Sequence, residues 1–296
     1  MGNAITSVLA QDGIASEAIV VDDASTDRTF AVACGHADAR LRCLRQEVNG
    51  GPAAARNAAL AVAQGRWIAV LDADDAMLPG RLARLLDVAE THGLDIVADN
   101  MWTEAADGTR RLFIPEDLDG TLEPSGFAAY VRRNRLFGPR AGDGYLKPVF
   151  RADFLRRHSL RYDATLRIGE DFMLMAEALL LGARYGRHRS AGYVYTVNVG
   201  SISHRLRMRD ADAMIAADRR FLTRYDARLG HAERAAMRAH LRSLQDGACF
   251  TGMVEDIKAG NFLRLARRVG SHPAAVRHFA MPLRARLERA GLLARA

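Results

Sequence analysis

The sequence predicts an α/β protein, a mainly parallel sheet flanked by helices with a helical extension behind it, and three observations carry that expectation. Apolar runs at residues 18–21 and 66–71 each stop abruptly at carboxylates, as a buried strand does where it opens into the crevice at the end of an α/β sheet. Between them stand helix-forming stretches bounded by turn residues, so that strand and helix alternate. From about Met208 the apolar spacing becomes helical and stays so, with charge dense on the remaining positions.

In order, residues 3–11 carry Ile5, Val8 and Leu9 at helical spacing and lead through Gly13 into the strand that ends at Asp22 and Asp23. Ser25 or Thr26 can cap a helix running to Cys34, and residues 41–44 form a short strand before the Asn49-Gly50-Gly51-Pro52 break. Pro52 suits a first helical turn, residues 53–64 are strong helix formers, and Gly65 supplies the stop. The acidic strand 66–71 comes next, then a helix over 79–92, a strand over 94–98, and Asp107-Gly108 as a hairpin turn. Beyond lie a helix at 125–134, a Gly/Pro-rich loop at 138–148 on the acceptor side, a helix at 150–158, and a broad apolar helix through Phe172, Leu174, Met175, Ala178, Leu179 and Leu180. Residues 193–197 read as a strand. The expected division is a first domain over 1–205 and a helical, Arg-rich extension over 206–296.

With 296 residues, 49% of them hydrophobic, the chain can bury a sizeable core; disorder is excluded. Cys34, Cys43 and Cys249 are scattered, which indicates neither a disulfide framework nor a zinc site and fits a reducing cytoplasm. No basic segment precedes a long apolar one and no run reaches the roughly 20 apolar residues of a membrane span, so a cytoplasmic location is expected, with peripheral contact at the inner face of the membrane. The net charge of +7 suits an anionic partner;. Nucleic acid is disfavoured, because acidic strand ends repel a polyanion and no aromatic-rich or Gly-rich recognition motif is present.

Asp72, Asp74 and Asp75 fall within four residues. Carboxylates so close at a strand end are costly unless compensated, and a hard divalent cation with oxygen ligands compensates them. The alternative is that they begin a turn and cap the next helix. Glu170 and Asp171 stand at the start of the later apolar helix, where the N-terminal dipole favours carboxylates.

Taken together, Val20-Val21-Asp22-Asp23-Ala24-Ser25-Thr26-Asp27, Gly51-Pro52-Ala53-Ala54-Ala55-Arg56-Asn57, Leu71-Asp72-Ala73-Asp74-Asp75 and Gly169-Glu170-Asp171 resemble the inverting family 2 glycosyltransferases of GT-A fold, over residues 3 to about 204. The resemblance implies transfer of a sugar from a nucleotide-diphosphate donor, a UDP-sugar, to a hydroxyl of a saccharide or lipid-linked acceptor in bacterial surface or exopolysaccharide synthesis. It implies that Asp22 and Asp23 bind the nucleoside, that Arg56 sits near the nucleotide or the aspartates, and that Asp74 holds Mg²⁺ or Mn²⁺ between the phosphates. Asp72 would reach ribose or metal. Asp171 would be the general base, with Glu170 beside it, and His204 of Ser201-Ile202-Ser203-His204 would contact phosphate or metal.

Family members open with an apolar strand beside residues 18–22 that is not found here, so the expectation is either that the true start lies upstream or that this is a truncated form with weak donor binding. A phosphatase of haloacid-dehalogenase type is disfavoured because it expects Thr or Val where Ala76 stands. A catalytically impaired homologue that binds a UDP-sugar without turnover is the other alternative. The basic tail is expected to rest on an anionic membrane, with Leu263, Leu265, Val269 and Phe279 beside the arginines and Pro273 and Pro282 breaking the segment.

Overall fold

The computed structural model describes residues 1–138, 142–197 and 206–279. The chain divides into two compact units, one of residues 1–134 with 140–204, the other of residues 135–139 with 205–296.

The first unit runs α1 (Gly2–Leu9), β1 (Ala18–Asp22), α2 (Thr29–Cys34), β2 (Leu41–Arg45), α3 (Gly51–Val62), β3 (Trp67–Ala69), β4 (Ala76–Met77), α4 (Arg81–Thr91), β5 (Ile96–Glu104), β6 (Arg110–Leu112), β7 (Leu122–Pro124), α5 (Phe127–Arg133), a 3₁₀ turn (Asp143–Tyr145), β8 (Val149–Arg151), α6 (Ala152–Arg157), α7 (Glu170–Leu180) and β9 (Tyr185–Thr196). β1 and β2 pair in parallel as one small sheet. The other seven strands form a second sheet along the path β3-β8-β5-β9-β4, with β6 added to β5 and β7 to β9. Among the described residues β1 pairs with β2 alone.

The α/β class holds, but the large sheet is mixed rather than mainly parallel. β5 and β9 run parallel along their whole shared length, whereas β3, β4, β6, β7 and β8 join antiparallel. Antiparallel neighbours need only a tight connection, and the Asp107-Gly108 turn returns the chain onto β5 at once, with Gly108 at φ 80°. The helix expected at 150–158 starts late for a related reason. Val149 and Phe150 are buried between β3 and β5 and take the extended form there, leaving 152–157 to be helical.

α7 is buried almost all round, from Phe172 to Ala176 and at Ala178 and Leu179, so the two acids at its first turn are fixed against the core. Gly169 just before them has φ 85°, a conformation in which a side chain is strained;.

A second anchor joins α4 to β5. Arg81 of α4 and Asp99 of β5 are both fully buried, with Arg81 Nε and Nη2 donating to Asp99 Oδ1 at 3.0 and 2.8 Å. Arg81 Nη2 also donates to the Lys147 carbonyl at 2.6 Å, its guanidinium lies 5.2 Å from the centre of the Tyr193 ring, and Asp99 Oδ2 accepts the Gly192 amide at 2.8 Å. A Cβ on Gly192 would stand 2.6 Å from Arg81 Cγ, so only glycine fits.

The second unit holds α8 (Met208–Arg224), a 3₁₀ turn at 226–228, α9 (His231–Lys258), α10 (Phe262–Ser271) and a final 3₁₀ segment (Pro273–Phe279). Cys249, Met253 and Ala275 form its small apolar cluster, against which Phe250, Leu265 and Phe279 pack. Leu265 and Phe279 are thus turned into the unit rather than outward. Pro282 lies outside the described residues. No helix among those described is long and apolar enough to cross a membrane.

Breaking the buried pair from one side strands a charge. Arg81→Met is expected to cost about 3–5 kcal/mol in urea unfolding, and the double change with Asp99→Leu to recover most of it; equal losses in the single and double variants would deny the pair its role.

Candidate active site

Three stretches far apart in sequence meet at Arg56. This residue projects from α3, whose start is set by Asp23: the Asp23 carboxylate accepts the Gly50 and Gly51 amides, each at 2.7 Å. Gly51 has φ 82° and opens the helix. Asn57, next to Arg56, exchanges hydrogen bonds with the Tyr162 backbone at 2.8 and 2.9 Å and so docks residues 161–163 on α3. The Tyr162 ring then lies 5.3 Å from the Arg56 guanidinium;.

Arg56 Nη1 donates to Glu170 Oε1 and to Asp171 Oδ1, both at 2.8 Å, and Nη2 donates to Asp72 Oδ1 at 2.7 Å. Lys147 completes the cluster, with Nζ 2.8 Å from Asp72 Oδ2 and 3.4 Å from Asp171 Oδ2. Three carboxylates therefore share two fixed cations. Burial would raise the Asp72 carboxyl, but Lys147 and Arg56 outweigh it and hold the group well below the usual carboxylate range;. Burial would likewise lower Lys147 and Arg56, and the neighbouring carboxylates raise both instead. Glu170 moves the other way: burial and the adjacent Asp171 push it up against the pull of Arg56.

The rest of the acidic loop is tied to β9. Tyr193 is the pivot, its hydroxyl accepting the Asp72 amide at 3.1 Å and donating to Asp75 Oδ2 at 2.7 Å. Asp75 Oδ1 accepts the Thr196 amide at 2.9 Å. Asp75 is buried, which lifts its carboxyl to about 6 despite those bonds, with Asp72 and Asp74 adding to the rise. Asp74, by contrast, is exposed. Among the described residues no three acidic, imidazole or thiol groups stand at metal-binding spacing.

The structure thus brings together Arg56, Asp72, Glu170 and Asp171, with Asp74 exposed two residues from Asp72. Asp22 lies at the end of β1, 2% exposed, with Arg45 Nε 3.2 Å away but no directed hydrogen bond to either carboxylate oxygen. Asp23 is occupied in holding the α3 start. His204 lies outside the described residues.

Sequence reasoning missed Lys147 and Tyr193. Lys147 fell within a loop read as irregular, yet a signal existed: it and Lys258 are the only lysines in a chain with 42 basic residues. Tyr193 carried none, being one aromatic in a strand.

Carboxylates after a sheet strand, a helix-borne acid pair and fixed cations between them make an arrangement suited to group transfer, and the motif resemblance implies a nucleotide-sugar donor. Residues 1–138 match "Glycosyl transferase family 2". The succinoglycan biosynthesis proteins ExoO and ExoU of Rhizobium meliloti (strain 1021) are 42% identical over 97% of this chain and 82% of ExoO, and 38% identical over 93% of this chain and 80% of ExoU. In architecture the chain resembles S. aureus TarS 1-349 solved in complex with UDP-GlcNAc, at a TM-score of 0.61 and 16% identity, over 92% of this chain and 87% of that one; it spans 40% of a longer TarS chain. The chain belongs to glycosyl transferase family 2 and has the GT-A fold, and it is an inverting glycosyltransferase.

Removing the central cation exposes the repulsion it offsets. Arg56→Met is expected to lower stability by about 2–4 kcal/mol at neutral pH, with Asp72→Asn added on top restoring part of the loss, as read by chemical unfolding. An unchanged melting temperature for Arg56→Met would dismiss the charge balance.

Proposed function

We propose that the first unit transfers the sugar of a UDP-sugar to a hydroxyl of a growing exopolysaccharide, in a single displacement. The observation that carries this reading is the meeting of Asp72, Glu170 and Asp171 on one guanidinium at 2.7–2.8 Å. The names of the succinoglycan biosynthesis relatives support the exopolysaccharide setting, and the UDP-GlcNAc complex of TarS supports a uridine diphosphate donor.

Asp171 is the general base. It takes the proton of the acceptor hydroxyl while that oxygen bonds to the anomeric carbon, and the opposite bond to the diphosphate breaks with its electron pair leaving on UDP. In the ligand-free protein both Asp171 oxygens face cations. An entering diphosphate competes for Arg56 and Lys147, which places positive charge where the leaving group gathers negative charge and loosens their hold on the base. Glu170 keeps Arg56 anchored. Asp22, whose buried oxygens lack a directed partner, is suited to a nucleoside hydroxyl or imide donor;. Asp23 acts through the α3 start, and His204 is a candidate phosphate contact.

A divalent ion fits Asp74 as a single carboxylate ligand, since Mg²⁺ commonly takes one or two carboxylates and completes its shell with phosphate and water. Asp72 fits as a second ligand only when Lys147 releases it, because both its oxygens already meet cations. Mg²⁺ or Mn²⁺ bound there would neutralise charge on the departing diphosphate.

Asp171→Asn is expected to keep UDP affinity and lose at least about 100-fold in transfer; a matching loss of UDP affinity would make Asp171 a binding residue. Thermal shift against UDP-sugars with and without Mn²⁺ tests the donor and the ion together. Asp74→Asn should remove any Mn²⁺-dependent gain, and a gain unchanged in that variant would deny Asp74 the metal. A protein that binds a UDP-sugar yet transfers nothing to any acceptor would be the impaired homologue.

The second unit is proposed to touch an anionic membrane through α10. At about 100° per residue, Phe262, Leu263, Ala266 and Val269 share one arc of that helix, and all four are exposed, Phe262 and Leu263 at 70% and 79%. Arg267 borders the arc on the Leu263 side with Arg264 beyond it, while Leu265 and Arg268 face the unit, the latter paired with Asp256 at 2.7 Å. An apolar arc edged by arginines suits the interface of a charged bilayer. The full chain should co-sediment with phosphatidylglycerol vesicles and not with phosphatidylcholine, and Phe262→Asp with Leu263→Asp should abolish it; sedimentation unaffected by that change, or none at all, would refute the contact.

A further inference from the structure

Phe113 and Tyr145 form an aromatic pair that the transfer chemistry does not use. Their ring centres are 5.5 Å apart and their planes inclined by 55°, and Tyr145 is 51% exposed.

The pair stands on the same face of the sheet as the acidic site. Trp102 of β5 faces Leu112 of β6, and the next step of that hairpin sets Phe113 against Met101, with the Phe113 amide donating to the Met101 carbonyl at 2.9 Å. Met101 in turn lies opposite Tyr193 of β9. Residues in register on neighbouring strands point to one face, so Phe113, Met101 and Tyr193 make a row. Its far member carries the hydroxyl bonded to Asp72 and Asp75. Two strand spacings, about 10 Å, separate its ends.

Tyr145 reaches the same place from the other side. It is two residues from Lys147, whose ammonium bridges Asp72 and Asp171, with the buried Leu146 between them. The turn that carries Tyr145 is braced: the buried Asp143 pairs with Arg133 at 2.7 Å, and the Gly144 amide donates to Asn134 Oδ1 at 2.6 Å. A Cβ on Gly144 would approach that oxygen to 2.7 Å.

From this geometry we infer that Phe113 and Tyr145 form the acceptor subsite and bind a pyranose of the acceptor saccharide by its apolar C–H face. The inference rests on the glycosyl-transfer reading of the adjacent acids. An aromatic face carries partial negative charge and attracts the weakly positive C–H groups of a sugar ring, while the sugar hydroxyls stay at the edge, within reach of Tyr145 Oη. A braced exposed aromatic loses little freedom on binding, which suits a shallow site. At about 10 Å from Tyr193 the platform stands one or two sugar rings from the residue whose hydroxyl holds the Asp72 loop.

The test uses the intact protein and the disaccharides cellobiose, lactose and maltose as probes, with saturation-transfer NMR to read which sugar protons touch the protein. At least one probe is expected to bind through the C–H protons of one ring, with affinity falling about tenfold or more in Tyr145→Ala and in Phe113→Ala and retained in Tyr145→Phe. UDP titration is run on the same variants and should be unchanged in Tyr145→Ala. Binding of no probe to the wild type, or binding unaffected by both alanine variants, overturns the subsite. Failure of the wild type to bind UDP instead overturns the donor reading, and the disaccharide result still decides the platform.

Discussion

A guanidinium and a carboxylate, both without solvent exposure, join α4 to β5, and the acidic site depends on them. Arg81 and Asp99 each spend part of their bonding capacity on one another and part on the main chain that carries the chemistry: Arg81 on the Lys147 carbonyl, Asp99 on the Gly192 amide. A buried ion pair contributes modestly to net stability, because desolvation offsets most of its attraction. Its cost is balanced here by what it holds. Lys147 reaches Asp72 and Asp171 because its backbone is fixed by Arg81, and Tyr193 reaches Asp72 and Asp75 because Gly192 lets β9 lie against the pair.

Beyond this anchor the site is a problem in charge. Asp72, Glu170 and Asp171 converge from a strand end and a helix start, and without Arg56 and Lys147 the first unit would carry three neighbouring carboxylates at half-buried positions. The cations make that arrangement tolerable in the ligand-free protein, and the same cations are what an anionic leaving group needs. In the proposed reaction one set of side chains therefore stabilises the resting fold and meets the transition state. It also explains the rise at Glu170, which has the least help of the three: it shares Arg56 with two competitors and lies against the apolar body of α7.

What was legible in the sequence was whatever was local. The acidic ends at residues 22–23 and 72–75, the Pro52 helix start and the Gly169-Glu170-Asp171 turn each declare themselves within a few residues, and each is found near its expected place. Strand direction was not legible, since whether β8 joins parallel or antiparallel depends on partners some fifty to eighty positions away in the chain, Trp67 and Ile96 among them. Asp23 shows the same limit at the scale of one side chain. An acid at a strand end was read for the nucleoside, and its carboxylate also accepts the first amides of α3, more than twenty residues on. Lys147 and Tyr193 act at a distance from any motif, and only the rarity of lysine in an arginine-rich chain marked the first of them.

The two halves of the site differ in how they are built, and the difference bears on evolution of specificity. Asp72 and Asp171 are each held by both Arg56 and Lys147, and Glu170 by Arg56 at the start of the buried α7, so they can be altered only at the cost of the fold. Phe113 and Tyr145 rest on a hairpin end and a short turn at the margin of the same sheet face, where a change of side chain disturbs little beneath it. On the proposed reading, chemistry fixed by the core and selection carried at the rim is an arrangement in which acceptor preference can change without the reaction. It also accounts for why the reaction could be read from spacing in the sequence while the acceptor could not, since the rim is set by which loops the topology brings together rather than by any pattern within one of them.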